Sequence, residues 1–103
     1  MPSPVPTTHS FRTRVWLWPG PAAWHFVSLP KKLSGELRRV FRGYGRGFGS
    51  LPVRVTIGST TWTTSIFPDH KRGSYLLPLK ASVRKVEGLR AGRTAHVTFI
   101  VQP

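Results

Sequence analysis

The sequence predicts an all-β fold with two short helices, a small six-stranded β-barrel around one core. Three observations predict it. Several runs alternate apolar and polar residues with the period of two that a strand requires. Proline and glycine clusters punctuate those runs at short intervals. Only two short stretches space their apolar residues as a helix does. A chain of 103 residues that is 39% hydrophobic and 12% aromatic supplies one core and not two. Short strands at turn spacing hide their edges best by closing on themselves.

Residues 1–10, rich in Pro, Thr and Ser, read as a flexible leader, and 11–103 as a single domain. In FRTRVWLW, Phe11, Thr13, Val15 and Leu17 take one face and Arg12, Arg14, Trp16 and Trp18 the other. Pro19-Gly20-Pro21 turns the chain, and AAWHFVSLP resumes an extended run closed by Pro30, so the two runs pair as a hairpin or tight corner. Ser34 is placed to cap a short helix running to Arg42, with Leu33, Leu37, Val40 and Phe41 on its buried stripe and Arg38, Arg39 and Arg42 off it. GYGRGFGS, with glycine at alternate positions, resists helix and strand and reads as a loop pinned by Tyr44 and Phe48. Val53, Val55 and Ile57 then alternate with Arg54 and Thr56, Gly58-Ser59 turns, and Trp62, Thr64 and Ile66 line the inner face of the partner strand. After a polar loop at 68–74 come an extended YLLPL and a helix in ASVRKVEG, with Leu79, Val83 and Val86 on one face and Gly88 as the stop. TAHVTFIV closes the chain with Ala95, Val97, Phe99 and Val101 set against His96, Thr98 and Ile100.

Several motifs in order carry a family resemblance: Trp24, Phe26, Val27, Leu29 and Pro30, RGFGS at 46–50, VRVTIG at 53–58, TWTTSIFPD at 61–69 and YLLPLKASVRKVEGLRAG at 75–92. Together they resemble a small bacterial domain-of-unknown-function family, found alone or fused to bacteriocin-protection (YdeI/OmpD-associated) domains. The resemblance implies a double-split β-barrel similar to those of the AbrB, MazE and MraZ type, and no established activity. Arg93 stands where such barrels usually carry Asp after the turn glycine, and the chain is poorer in acids than that family.

Charge is the strongest functional signal. Sixteen Lys and Arg against three Asp and Glu leave a net +13, with Arg outnumbering Lys eleven to five. A folded domain with that field attracts polyanions, and guanidinium forks interleaved with aromatic rings suit phosphates and bases. Arg38, Arg39, Arg42, Arg46 and Arg54, with Lys80, Arg84 and Lys85 as a second basic edge, are therefore the candidate sites for nucleic acid or an acidic partner, with little sequence readout. The alternative is a small-molecule barrel, a binder or a cofactor-independent enzyme. Its pocket would be lined by Trp16, Trp18, Trp62 and Tyr75, with His25 or His96 as the polar group and a preference for a small anionic ligand.

Other chemistry is harder to build. There is no cysteine for thiolate, disulfide or iron–sulfur roles, and the carboxylates Glu36, Asp69 and Glu87 are too few for most paired acid–base work. Histidines 9, 25, 70 and 96 have no metal-binding spacing, and the glycine run fails G-x-G-x-x-G at Ser50 and lacks a Walker lysine. Ser65, Asp69 and His70 have the letters of a triad without a nucleophile elbow. The expectation is a cytoplasmic binding domain and not an enzyme, without cofactor, metal or membrane span, with a homodimer left open.

Overall fold

The computed structural model describes residues 7–44 and 49–102; Arg46 and Phe48 lie outside them. The described chain folds as β1 (Thr8–Arg14), β2 (Trp16–Leu17), β3 (His25–Ser28), α1 (Lys31–Val40), β4 (Leu51–Ile57), β5 (Thr60–Asp69), β6 (Ser74–Pro78), α2 (Ala81–Glu87) and β7 (Thr94–Val101). All strands join one sheet in the order β1-β7-β4-β5-β6-β3-β2, antiparallel at every pairing and curled into a half-barrel.

The strand number is seven, not the six expected, because the run from Phe11 to Trp18 is two strands. Val15 breaks it. Its N–H donates to the Arg93 carbonyl at 2.9 Å and its carbonyl accepts from the Gly92 N–H at 2.7 Å, so the chain leaves β7 there and pairs next with β3. Strands β1 and β2 are the two outer strands of the sheet, yet one residue separates them in sequence. The sheet must therefore curl until its edges meet at Val15. Pairing of β1 also starts earlier than Phe11, at Thr8 opposite Ile100.

The inner face follows the alternation. Phe11, Val27, Val53, Val55, Trp62, Ile66, Leu77, Val97 and Phe99 form a continuous buried cluster with Val15. The β4–β5 turn places Gly58 at φ +58° at the first of two turn positions, where a hairpin of this length favours glycine. The Glu87 carboxylate packs against the same turn and accepts the Thr60 hydroxyl at 2.6 Å, which ties α2 to the hairpin.

Both helices press their buried residues onto this core, Leu37 from α1 and Val83 from α2. The buried stripes are narrower than expected, since Val40 and Val86 are exposed at the helix ends. Pro30, not Ser34, stands at the start of α1, where the fixed φ of proline suits a helix entry. Ser34 lies one turn inside, fully buried, and its Oγ accepts the Tyr75 backbone N–H at 3.0 Å. This one hydroxyl thus satisfies a buried donor of β6 from the helix above it.

Ser34→Ala leaves that N–H without its acceptor, and an unfolding free energy lower by about 1–3 kcal/mol is expected in urea titration. The exposed Ser82→Ala serves as the control. An unchanged midpoint for Ser34→Ala would show that the helix–strand bond carries no weight.

Candidate functional site

The outer face of the sheet has two halves of opposite character. Along β1, β7 and β4 the outward residues include Ser10, Arg12, Arg14, His96, Thr98, Arg54 and Thr56, a mostly polar face with Pro52 and Ile100 as its apolar members. Beyond Thr63 of β5 the outward residues become Phe67, Leu76, Pro78, Phe26 and Trp16, carried by β5, β6, β3 and β2 in register. Strand β6 is thus apolar on both sides, which is why Tyr75, Leu76 and Leu77 are all buried.

Phe26 is the hub of this half. Its ring lies 5.4 Å from Trp16, 5.9 Å from Trp18 and 6.1 Å from Trp24, within the range of favourable aromatic pairs. The Trp16 indole N–H donates to Ser28 Oγ at 3.0 Å and so keeps its polar atom satisfied. A backbone bond from Trp18 N to Trp24 O at 2.8 Å closes the loop 19–23, in which two prolines remove donors and narrow the accessible backbone. Ala23 in that loop is held at φ +51°, a left-handed conformation that costs a residue with a Cβ about 1 kcal/mol. The His25 ring supports it: Nδ1 donates to the Ala23 carbonyl at 2.8 Å, which leaves Nε2 as the ring's second polar atom.

Between the loop and the sheet lies a cavity of about 690 Å³, with Trp18, Trp24, Phe26, Phe67, Leu76 and Pro78 as its side-chain walls. Trp24 is 60% exposed, Trp18 45% and Phe67 44%, so the rings stand open to solvent instead of packing shut. Arg72 lies beside the aromatic cluster, its guanidinium 4.8 Å from the Trp16 ring centre, 6.0 Å from that of Trp18 and 3.0 Å from the Asp69 carboxylate. Across Trp24 and Pro78 a second recess of about 290 Å³ adjoins the groove, containing His25, Trp62, Thr63, Lys80 and Arg84.

A family model described as Domain of unknown function (DUF1905) matches residues 11–99. The chain belongs to the DUF1905 family. The matched span runs from within β1 to within β7 and so includes the whole groove. No curated protein matches the chain.

In this DUF1905 domain the six aromatic and histidine candidates do not share one interior pocket. The sheet separates them. Trp16 and Trp18 belong to the outer cluster, while His25 and Trp62 meet in the smaller recess. Tyr75 is in the core, where burial pushes its hydroxyl pKa up against the opposing charge and hydrogen bond of Arg38. His96 is exposed on β7, opposite Arg12. Burial likewise lowers the pKa of His9, stacked 5.2 Å from Phe99, with Glu36 opposing.

The basic candidates divide among separate elements. Arg38 and Arg39 lie in the last turn of α1 with Arg42 just beyond it, and Arg54 is on the outer face of β4. Lys80, Arg84 and Lys85 belong to α2 and its start, and of these Lys80 and Arg84 line the recess. Sequence reasoning did not single out Trp24, Phe67, Leu76, Pro78 or Arg72 as site residues. One signal was present: Tyr75-Leu76-Leu77 does not alternate, the mark of a strand covered on both faces. Among the described residues no three His, Asp or Glu side chains cluster as a metal site would require, and no helix is long and apolar enough to cross a membrane.

Proposed function

We propose that this chain is a ligand-binding domain whose groove takes the apolar, aromatic body of a small molecule. The observation that supports this reading is the open aromatic half of the sheet's outer face, since monomeric domains seldom leave such a patch in water without use for it. A volume of about 690 Å³ suits a compact organic molecule, and the four indole and phenyl rings around it favour a flat one. The loop closed by the Trp18–Trp24 bond presents these faces on a preformed wall, which lowers the ordering cost of binding.

N-phenyl-1-naphthylamine, a neutral dye that brightens in apolar surroundings, tests the reading directly. Trp24→Ala is expected to weaken its binding by about tenfold, in line with the loss of one exposed aromatic wall. His96→Ala, on the polar half, is expected to leave it unchanged. Wild-type affinity in Trp24→Ala would overturn the reading.

A second reading is binding of nucleic acid or another polyanion. Its support is the +13 charge and the outward strand face that carries Arg12, Arg14, Arg54 and His96 without a carboxylate, with Arg38, Arg39 and Arg42 nearby in sequence. The likeness to double-split barrels read from the LPLKASVRKVEGLRAG motif belongs with it, as fold analogy alone. Fluorescence anisotropy against single-stranded DNA, duplex DNA, RNA and heparin across a salt series separates function from bulk charge. On this reading one nucleic acid outcompetes heparin at physiological salt, and joint change of Arg38, Arg39 and Arg42 to Glu costs at least about tenfold. Equal release of every polyanion by moderate salt would remove it.

A further inference from the structure

The groove and the recess beside it share a wall, with Trp24, Pro78, Ala22 and Ala23 lining both. Their chemistry differs sharply. The groove is walled by rings and aliphatic side chains, whereas the recess contains two cations, Lys80 and Arg84, and the Thr63 and Thr64 side chains. Arg54 pairs across the sheet with Thr63, which brings a third cation next to the recess.

None of the three side-chain carboxylates, Glu36, Asp69 and Glu87, lines the groove or the recess. Asp69 pairs with Arg72 beside Trp16, Glu87 accepts the Ser59 and Thr60 hydroxyls at the hairpin turn, and Glu36 is on α1 close enough to influence His9. Among the described residues Lys80 and Arg84 have no ion pair. Arg84 is also oriented: its Nε donates to the Leu79 carbonyl at 3.0 Å, which fixes one edge of the guanidinium and leaves the terminal nitrogens outside that bond. Arg72, by contrast, is paired with Asp69 and lies over the Trp16 ring. No cation lines the groove itself, whereas Lys80 and Arg84 line the recess that shares its Trp24 wall.

Resting on the reading of the groove as a ligand site, we infer that its ligand is an amphipathic organic anion. The flat apolar body lies against Trp18, Phe26 and Phe67, and a single carboxylate, sulfonate or phosphate crosses the Trp24 wall to Lys80 and Arg84. The recess therefore sets both the chemical class of the ligand and the direction in which it lies.

Two dyes that share one skeleton isolate the acidic group. N-phenyl-1-naphthylamine is neutral, and 8-anilinonaphthalene-1-sulfonate adds one sulfonate to the same rings. The sulfonate is expected to bind the native chain about tenfold more tightly, a gain of the size of a charge-assisted contact. Lys80→Glu, at an exposed position, is expected to abolish that gain and leave the neutral dye unaffected. Lys85→Glu makes the same change in net charge within α2, outside the recess, and is expected to retain most of the gain. Equal affinity of the two dyes, or equal effects of Lys80→Glu and Lys85→Glu, would overturn the inference while the groove reading stands. Failure of the neutral dye to bind at all would overturn the groove reading itself. A chain that sediments as a dimer, turns monomeric on Trp24→Ala and binds neither dye would assign the groove to a second copy and overturn both.

Discussion

The architecture depends on a single-residue joint. Val15 connects the two edge strands of a seven-stranded sheet, and its two backbone bonds to the Gly92–Arg93 turn hold that joint in place. A sheet whose first and last strands are consecutive in the chain cannot stay open and flat, so the curl is imposed by connectivity as well as by the ordinary twist of strands. The inner face then closes on Val27, Val53, Val55 and Val97, each almost wholly removed from water. Small β-branched side chains fill such a tight interior without strain, and α1 and α2 cover what the strands leave open.

The same joint decides where the aromatic residues go. Past Val15 the chain carries Trp16 to the outer face, where β3 and β6 present Phe26, Leu76 and Pro78. Packing within that cluster accounts for Trp16, whose ring touches Phe26 and Arg72 and whose N–H is bonded. It does not account for Trp18, Trp24 and Phe67, whose exposure leaves apolar area in water at about 25 cal/mol for each Å². A fold selected for stability alone has no use for that cost, nor for a strained Ala23 buttressed by His25. Both features make sense in a wall kept ready for a ligand.

Much of the fold was legible because alternation is a local signal. The β4–β5 hairpin, the inward set of β7 and the Gly88 stop of α2 all stand where pattern and turn chemistry place them. The split at Val15 was not legible, since Phe11 to Trp18 keeps one unbroken period and the break is caused by its distant partners Gly92 and Arg93. Ser34 looked like a cap because its residue type favours one. The buried Tyr75 N–H that it serves is a tertiary partner no local window contains. The site was half legible for a related reason. Period-two patterning tells which residues share a face but not which face is inside, so Trp16 and Trp18 could be grouped with Trp62 although a sheet lies between them. Charge, in turn, pointed to the arginines as a group, and only the structure shows that Lys80 and Arg84 line the recess beside the aromatic groove.

Whether ligands meet the outer face or the barrel interior is the central question, and the four indole N–H signals report on it separately. Trp18 and Trp24 stand open in the groove, Trp16 is bonded to Ser28, and Trp62 belongs to the core. In a ¹H–¹⁵N spectrum assigned with single Trp→Phe variants, titration with the neutral aromatic 1-naphthol is expected to shift the Trp18 and Trp24 signals in a saturable way and to leave Trp62 in place. Trp18 and Trp24 signals that stay unmoved at saturating 1-naphthol would contradict a groove on the outer face of the sheet.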